Sequence, residues 1–164
     1  MLEMVTVGPE RAMLVNMLEI NRQSLIECVE GLSEDDARRR LVPSLTTPLA
    51  LLKHVACAER SWFQRRVAAL PESEWDGYGY GDDASFAVTA DDTVESAVAE
   101  LRAAARRGRE IADPLDLDFT IEHDHFGAVS LRWIYLHMIR EVARHAGHAD
   151  ILREQIEAAP AGSS

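Results

Sequence analysis

The sequence contains few cysteines and few basic residues, and each shortage excludes a class of protein. Cys28 and Cys57 fall in separate helical segments without a CxxC pair, so we expect reduced core thiols and no disulfide framework. The 17 Lys and Arg residues are outnumbered by 28 Asp and Glu residues, which gives a net charge of -11. Because nucleic acids and anionic membranes are bound through Lys and Arg, this balance disfavours both as partners.

Long apolar runs and an export signal are also missing. No window approaches the roughly 18 consecutive apolar residues that a helix needs to cross a bilayer. The N-terminal segment MLEMVTVGPERAML has acidic residues where a signal peptide has a basic start and an unbroken apolar stretch. We therefore expect a cytoplasmic protein. Its 164 residues, 47% of them hydrophobic, suffice for one domain with one sizeable core.

The sequence predicts an all-α protein built as a four-helix bundle. Apolar residues recur mostly at steps of three and four in long segments, which is the pattern of amphipathic helices. The long predicted helices cover residues 9–32, 48–70, 92–112 and 131–158, and a shorter helical piece covers 33–40. Two long crossover connections, 72–91 and 115–129, fit such a bundle. The predicted domain spans 1–158, and 159–164 form a disordered tail.

Capping residues mark where the helices begin. Thr47 before Pro48 is typical of the cap and the first residue of the second helix. Asp92 and Glu95 resemble a capping box that opens the third helix. Ser130 is placed to cap the fourth helix.

The most specific signal is a polar stripe in the fourth predicted helix, LHMIREVARHAGHADIL. The stripe consists of His137, Glu141, His145 and His148, at spacings of four, four and three residues. At about 100° per residue all four point to the same side of the helix. Ile134 and Leu152 share that side, so the stripe should face the interior. Unpaired buried polar groups cost several kcal/mol, and a metal ion would satisfy them.

A third metal ligand is available from the second predicted helix. His54 is surrounded by apolar residues that should also face the core. If the second and fourth helices are neighbours, His54, Glu141 and His145 form a site of two imidazoles and one carboxylate with open positions. Nitrogen and oxygen ligands of this kind suit Zn, Ni, Fe or Mn.

Simpler explanations stand beside this hypothesis. A lone core histidine such as His54 is more often hydrogen-bonded to a backbone carbonyl than bound to a metal. Glu141 and His145 alone could form an ion pair on a wet helix surface. The whole stripe together with His54 is harder to explain in these ways, so we favour metal binding.

The roles of the other histidines are open. His148 is a fourth ligand, a residue that orients His145, or a general acid or base beside the metal, and we assign it the catalytic role. His137 is a core residue or a partner of the ligands. His123 and His125 lie in the second connector, where solvated loop histidines are the expected case, although they could reach over the open end of the bundle.

Aromatic residues gather in the first connector and within the helices. Trp75, Tyr78, Tyr80 and Phe86 in the first connector form either one wall of a pocket or a loop packed on the helices. Trp62, Phe63 and Trp133 occupy core-like helical positions, so we expect them to be packing residues.

Nearly the whole chain resembles the DinB/YfiT-like superfamily. The segment LVPSLTTPLALLKHVACAERSWF is similar to the second helix of that family, and VSLRWIYLHMIREVARHAGHADILRE is similar to its fourth. Many members carry HxxNHxxxHRGQ in the last helix, and Glu141 stands here in place of the first metal-binding histidine. The branch of mycothiol-dependent maleylpyruvate isomerases has the same replacement.

The resemblance implies a metal-dependent enzyme that uses a low-molecular-weight thiol. His54, Glu141 and His145 would hold a divalent metal, and mycothiol, bacillithiol or glutathione would be activated there as a thiolate. The partners would then be a small-molecule thiol and an electrophilic substrate. A Lewis-acidic metal lowers the pKa of a bound thiol or water, so such chemistry suits these ligands. Bundles of this kind also form homodimers, although the sequence marks no interface.

Three functions therefore compete. The first is a thiol transferase or isomerase, or a hydrolase that uses metal-bound water at the same site. The second is a non-catalytic bundle in which a metal only cross-links two helices, which would favour four protein ligands over an open position. The third is a bundle whose core histidines bind no metal.

Overall fold

The computed structural model describes residues 2–158 and is mostly helical. Its elements, in chain order, are α1 (Glu10–Val29), α2 (Glu34–Ala37), α3 (Pro48–Glu59), α4 (Val94–Ala112), β1 (Thr120–His123), β2 (Gly127–Ser130) and α5 (Leu131–Ala158). A π-helical segment, Arg60–Val67, continues α3 without a break, and two 3₁₀ turns, Glu72–Glu74 and Asp83–Phe86, lie in the connector to α4. The predicted tail, 159–164, lies outside the described residues.

Two of the three predicted caps form, at Thr47 and Ser130, and Ser33 caps the short helix α2. The Thr47 hydroxyl accepts from the backbone N–H of Ala50, so α3 begins at Pro48. The Ser33 side chain caps α2, and the Ser130 hydroxyl accepts from the backbone N–H of Trp133 at the start of α5. These short-range bonds satisfy N–H groups that have no partner inside the helix.

The prediction for the start of α4 was wrong by one residue. Thr93 is the cap, and its hydroxyl and that of Ser96 form the reciprocal capping box. The Asp92 carboxylate instead accepts from the backbone N–H of Thr89 and pairs with the Lys53 ammonium 2.7 Å away. Asp92 therefore ties the α4 start to α3, and this contact holds its pKa below the usual range.

The second predicted helix changes its winding in its last third. Backbone bonds there span five residues or more, as from the N–H of Ala68 to the carbonyl of Phe63. Phe63 packs where α4 has Gly108, whose missing side chain leaves room for the ring, since an added Cβ would lie 2.9 Å from it. The π-helical segment thus packs closely against α4 at this position.

The four long helices share one hydrophobic core. α1 packs against α5, α3 packs against α4 and α5, and α1 also touches α3. Arg22 of α1 and Glu59 of α3 form a buried ion pair at 2.7 Å. Because α3 and α5 are neighbours, as the metal-site hypothesis requires, His54 can lie opposite Glu141 and His145.

The second connector differs from the sequence prediction because it contains a β-hairpin. β1 and β2 pair antiparallel, with Thr120 opposite Ser130 and His123 opposite Gly127. Gly127 has φ 67°, a left-handed conformation that suits glycine in a turn. The hairpin leads directly into α5 and rests against the π-helical segment. Among the described residues, no helix is long and apolar enough to cross a membrane.

Candidate metal centre

His54, Glu141 and His145 meet between α3 and α5 and form what we term the ligand trio. Each offers one ligand atom, and these atoms lie within 4.8 Å of one another. Oxygen Oε1 of Glu141 lies 3.4 Å from Nε2 of His54 and 3.0 Å from Nε2 of His145. Ligands about 2.0–2.2 Å from one zinc ion have separations of about 3–3.5 Å, so these two distances suit a shared metal.

Helical geometry explains how α5 contributes two members of the trio. Glu141 and His145 are one turn apart, so both side chains leave the helix on the same side. His145 is buried and Glu141 is half-buried. The Glu141 carboxylate is further held by Arg144, whose Nη2 donates to Oε2 at 2.8 Å. Oε1 is thereby left to face the two imidazoles.

A hydrogen-bond chain fixes the orientation of the His54 ring. The Ser85 hydroxyl lies 2.6 Å from the carbonyl of Asp82, and because a carbonyl only accepts, the hydroxyl donates there. Ser85 Oγ therefore accepts from His54 Nδ1 at 2.8 Å, which places the ring hydrogen on Nδ1. In neutral His54 the lone pair is then on Nε2 and points toward the trio.

This tautomer brings two acceptors face to face. The lone pair of His54 Nε2 and the carboxylate oxygen of Glu141 are 3.4 Å apart, and they repel unless a cation, either a proton or a metal ion, lies between them. Metal-binding histidines commonly donate their other nitrogen to an oxygen, as His54 does to Ser85. The donor set thus fits a divalent metal.

The electrostatics of α5 are consistent with an ionised Glu141 carboxylate beside a neutral His145 ring. The imidazoles of His145 and His54, which face Oε1, lower the pKa of Glu141 well below its usual range. Burial lowers the pKa of His145 despite its contact with Glu141. His145 Nδ1 is buried and has no hydrogen-bond partner among residues 2–158. A carboxylate and two unprotonated imidazoles are the forms that bind metals.

Of the first connector's aromatic residues, one reaches the trio. Phe86 stacks on the His54 ring with centroids 4.1 Å apart. Trp75 and Tyr80 pack against each other and under the Arg65 guanidinium, away from His54. The Tyr78 hydroxyl donates to Asp82, which raises the Tyr78 pKa to about 12. The pocket-wall prediction therefore holds for Phe86, and the other three form a packed loop.

His148 lies next to the trio but outside it. Its ring meets the His145 ring edge-on, with centroids 5.4 Å apart, and the residue is exposed. It is absent from the convergent set of ligand atoms, which contains three residues. The catalytic role assigned to His148 stays a prediction, and its place beside an open edge of the trio suits that role.

A second histidine group lies in an aromatic cluster formed by Trp62, His123, Phe126, Trp133 and His137. His123 stacks on Trp62 at 5.2 Å and on Phe126 at 4.7 Å. His137 stacks on Trp133 at 5.1 Å. The expectation that His123 is a solvated loop histidine was wrong, because the β-hairpin buries it against the π-helical segment. His125 is exposed, as expected.

Sequence reasoning missed Ser85, which the structure places against His54. The Asp82 side chain caps the 3₁₀ turn by accepting from the backbone N–H of Ala84, and this turn holds Ser85 in place. The segment Asp82-Asp83-Ala84-Ser85 could have been identified as a capped turn. Its contact with His54, 31 residues away in sequence, has no local signal.

Comparisons with known proteins give a family and a fold. A family model described as mycothiol-S-transferase matches residues 13–158, a range that contains the whole trio and Ser85. The crystal structure of a conserved protein from Enterococcus faecalis is similar, with a TM-score of 0.66 at 15% sequence identity. That similarity covers 93% of this chain and 100% of the other. A search of curated protein sequences gives no match.

Proposed function

The chain belongs to the mycothiol-S-transferase family, a DinB/YfiT-like family, and we propose that it is a metal-dependent transferase that joins mycothiol, or a similar small thiol, to an electrophile. One observation carries the metal dependence. The Ser85 bond leaves the His54 Nε2 lone pair facing the Glu141 carboxylate at 3.4 Å, an arrangement that a cation stabilises.

Each residue near the proposed metal has a separate task. Nε2 of His54, Oε1 of Glu141 and Nε2 of His145 would hold the ion, and Zn, Ni, Mn and Fe all accept such ligands. When bound, the ion supplies Lewis acidity that lowers the pKa of a coordinated thiol toward neutrality. Ser85 keeps the His54 ring in its ligating orientation.

We infer that His148 accepts the thiol proton. Its imidazole is exposed and adjoins His145, so it can exchange protons with solvent beside the reacting sulfur. In the transfer, the thiolate sulfur forms a bond to the electrophilic carbon. The bond from that carbon to its leaving group breaks, and the leaving group departs with the electron pair. The thiol proton passes to His148 and then to water.

A hydrolase with metal-activated water remains the second candidate function, because it would use the same three ligands and the same open position. A purely structural metal site is favoured less, since such sites are normally closed by four protein ligands. Here three ligand atoms converge, and His148 stays outside them. The family match favours thiol transfer over hydrolysis and over isomerisation.

We also propose that the four long helices form a four-helix bundle of the DinB/YfiT-like kind, with the β-hairpin inserted before α5. The shared core and the packing of α3 on α5 support this architecture. Cytoplasmic location and homodimerisation stay predictions from the sequence.

Elemental analysis tests the metal dependence. Protein without a histidine tag and without exposure to chelator should contain near-stoichiometric metal, and the His145→Ala variant should contain little. The His137→Ala variant is the matched control and should keep its metal. Metal that is absent from all three proteins, and not taken up on titration with Zn, Ni or Mn, would overturn the proposal. Consumption of mycothiol in the presence of an electrophile then separates transferase from hydrolase.

A further inference from the structure

A cavity of about 320 Å³ opens beside the trio, between α5 and the loop that precedes α3. We term it the apolar cavity. The loop contributes Val42, Ser44 and Thr46, and α5 contributes His148, Ile151, Leu152 and Gln155. Its volume lies at the lower end of the range for small-molecule sites, about 300–1,000 Å³. A substituted aromatic ring or a short alkyl chain is therefore the appropriate size of ligand.

The walls of the apolar cavity select against charge. Val42, Ile151 and Leu152 are hydrocarbon, and apart from His148 the polar lining groups are two hydroxyls and one amide. Among residues 2–158, the lining contains no Lys, Arg, Asp or Glu. A carboxylate or phosphate would leave water here with no Lys or Arg among the described lining residues to compensate, which costs free energy. An uncharged molecule would bury apolar surface at no such cost.

The apolar cavity adjoins the trio through His148. His148, one of its walls, contacts the His145 ring at 5.4 Å between centroids. Leu152 lies seven residues after His145, which is about 10 Å further along the helix and on the same side. A ligand that fills the cavity thus extends from the edge of the trio toward the C-terminal part of α5. Ile151 is 57% exposed, so the mouth of the cavity carries an apolar side chain in solvent.

A second cavity, which we term the arginine cavity, has the opposite character. It is about 470 Å³ in volume, and Arg38, Arg40, Asp83 and Phe86 contribute to its lining. Arg40 donates to the carbonyls of Pro43 and Ser44, and Arg38 donates to those of Thr89 and Asp92. In the described part of the chain, neither arginine has a carboxylate within ion-pair distance. Phe86 connects this cavity to His54.

The loop before α3 divides the two cavities. Ser44 and Thr46 line the apolar cavity, whereas Leu45 and Thr47 line the arginine cavity. The trio therefore has an uncharged cavity on its His145 side and a cavity with charged residues on its His54 side. Two co-substrates of different polarity could approach the trio from these two directions.

We propose that the apolar cavity binds the electrophile, and that this electrophile is an uncharged molecule with a hydrocarbon or aromatic body. The proposal rests on the proposed thiol-transferase function and specifies its second substrate. An electrophile in the cavity presents its reactive carbon beside His148. When the thiolate sulfur bonds to that carbon, the leaving group takes the electron pair and departs through the open mouth. Dicarboxylate electrophiles should be poor substrates.

A matched pair of probes tests the cavity without any thiol reaction. 1,3-Dinitrobenzene is uncharged and lacks a displaceable halide, and 3,5-dinitrobenzoate adds one carboxylate to the same ring. Metal-loaded protein without thiol is titrated with each probe and followed by NMR at the Ile151 methyl groups and the His148 ring. The uncharged probe should shift both signals and bind at least about tenfold more tightly than the anion. Equal affinities, or shifts elsewhere only, would overturn the proposal.

Two variants with a control locate the binding. Ile151→Glu should weaken the uncharged probe at least about tenfold, and Gln155→Arg should strengthen the anionic probe. Leu136→Glu is the control because Leu136 is 52% exposed on the same helix and outside the cavity, and it should bind as wild type does. Wild-type binding by both Ile151→Glu and Gln155→Arg would overturn the cavity assignment. Thermal melting verifies that each variant is folded.

The same proteins separate this inference from the proposed function. Mycothiol consumption is assayed with 1-chloro-2,4-dinitrobenzene. If the uncharged probe binds selectively but mycothiol is not consumed, the transferase function is rejected and the proposed selectivity of the cavity is supported. Mycothiol consumption that is unaffected by Ile151→Glu would support the transferase and reject the cavity as its electrophile site.

Discussion

His145 and His137 lie about two turns apart on the same side of α5, and the rest of the fold gives them opposite surroundings. His145 faces the Glu141 carboxylate and the His54 ring, with a buried nitrogen that has no partner in the described chain. His137 stacks on Trp133 and packs at a tilt against Trp62, and its Nδ1 accepts from Arg140 at 3.3 Å. His145 therefore directs Nε2 toward the other members of the trio, whereas His137 has a partner on Nδ1 and aromatic rings beside it.

The comparison shows that helical spacing alone does not identify a metal ligand. The period of α5 places His137, Glu141 and His145 on one side, but the partners come from distant segments. α3 and the connector supply His54 and Ser85 to the trio, and the π-helical segment and the hairpin supply Trp62 and His123 to the aromatic cluster. Whether a nitrogen lone pair is free to bind metal depends on those partners.

Replacing Glu141 with Gln should have the largest effect on the trio and should leave the aromatic cluster intact. The amide keeps the shape but removes the charge, so metal affinity should fall more than the roughly 10–100-fold that loss of a ligand's supporting group costs. Without metal, the amide N–H₂ can donate to His54 Nε2, so the metal-free variant should melt no lower than metal-free wild type. Metal titration and thermal melting measure the two effects, with His137→Ala as the control. Retained metal in Glu141→Gln would contradict the trio.

Replacing Trp62 with Ala should disrupt the aromatic cluster and spare the trio. Trp62 is buried, stacks on His123 and packs at a tilt against His137, so its truncation should cost about 3–5 kcal/mol of unfolding free energy. Metal content should stay stoichiometric in the folded variant. Urea unfolding gives the first quantity and elemental analysis the second. Trp75→Ala, in the connector, is the control with a smaller expected loss. Loss of metal from the Trp62→Ala variant would mean that the aromatic cluster and the trio are coupled.

Removing the metal should destabilise the protein through the trio alone. At free metal one hundred times the dissociation constant, binding contributes about 2.7 kcal/mol. For a chain of this size that corresponds to about 5–10 °C in melting temperature. Chelator should lower the melting temperature of wild type and of His137→Ala by this amount and leave His145→Ala unchanged. An equal shift in all three would place the metal outside the trio.

Replacing Ser85 with Ala should weaken the metal site without removing a ligand. The change deletes the acceptor of the His54 Nδ1 hydrogen, so the ring loses its fixed orientation. Loss of such a supporting group costs about 10–100-fold in metal affinity. Competition titration with a chromophoric chelator measures this loss, and Ser73→Ala, an exposed serine of the same connector, is the control. Unchanged affinity in Ser85→Ala would show that the ring is oriented by Phe86 alone.

The sequence was sufficient to predict most of the helices and the grouping of the trio. Residues 131–158 form α5 as predicted, because a local cap and an unbroken apolar period determine it. His54, Glu141 and His145 come together because each lies on an apolar side of its helix. Both inferences depend on short-range periodicity.

Features that depend on contacts between distant segments were not predictable in this way. Phe63 of the π-helical segment lies against Gly108 of α4, and this contact between distant residues has no local sequence signal. The burial of His123 depends on a hairpin of two four-residue strands, too short for a clear alternating pattern. The contact of Ser85 with His54 depends on where a capped turn lies on α3.

The smallest expected effect is a pH dependence that belongs to the aromatic cluster. Burial, reinforced by Arg140, lowers the pKa of His137, and burial, reinforced by Arg66, lowers the pKa of His123. A lowered pKa means that folding favours the neutral ring. This stabilisation is present above the unfolded value of about 6.5 and is lost as the pH falls through the folded pKa.

Melting temperatures measured between pH 7.5 and 5 would reveal this dependence in a variant whose trio no longer binds metal. His137 is faced by Glu141 and Arg144 as well as by Arg140 and His123, so the His145→Ala background, which binds no metal, is the reference. Its melting temperature should fall as the pH decreases. Adding His123→Gln and His137→Gln should flatten that fall, because no buried imidazole then resists protonation. An equally steep fall in the triple variant would place the pH dependence in the carboxylates, and the two histidine groups would then differ in metal binding alone.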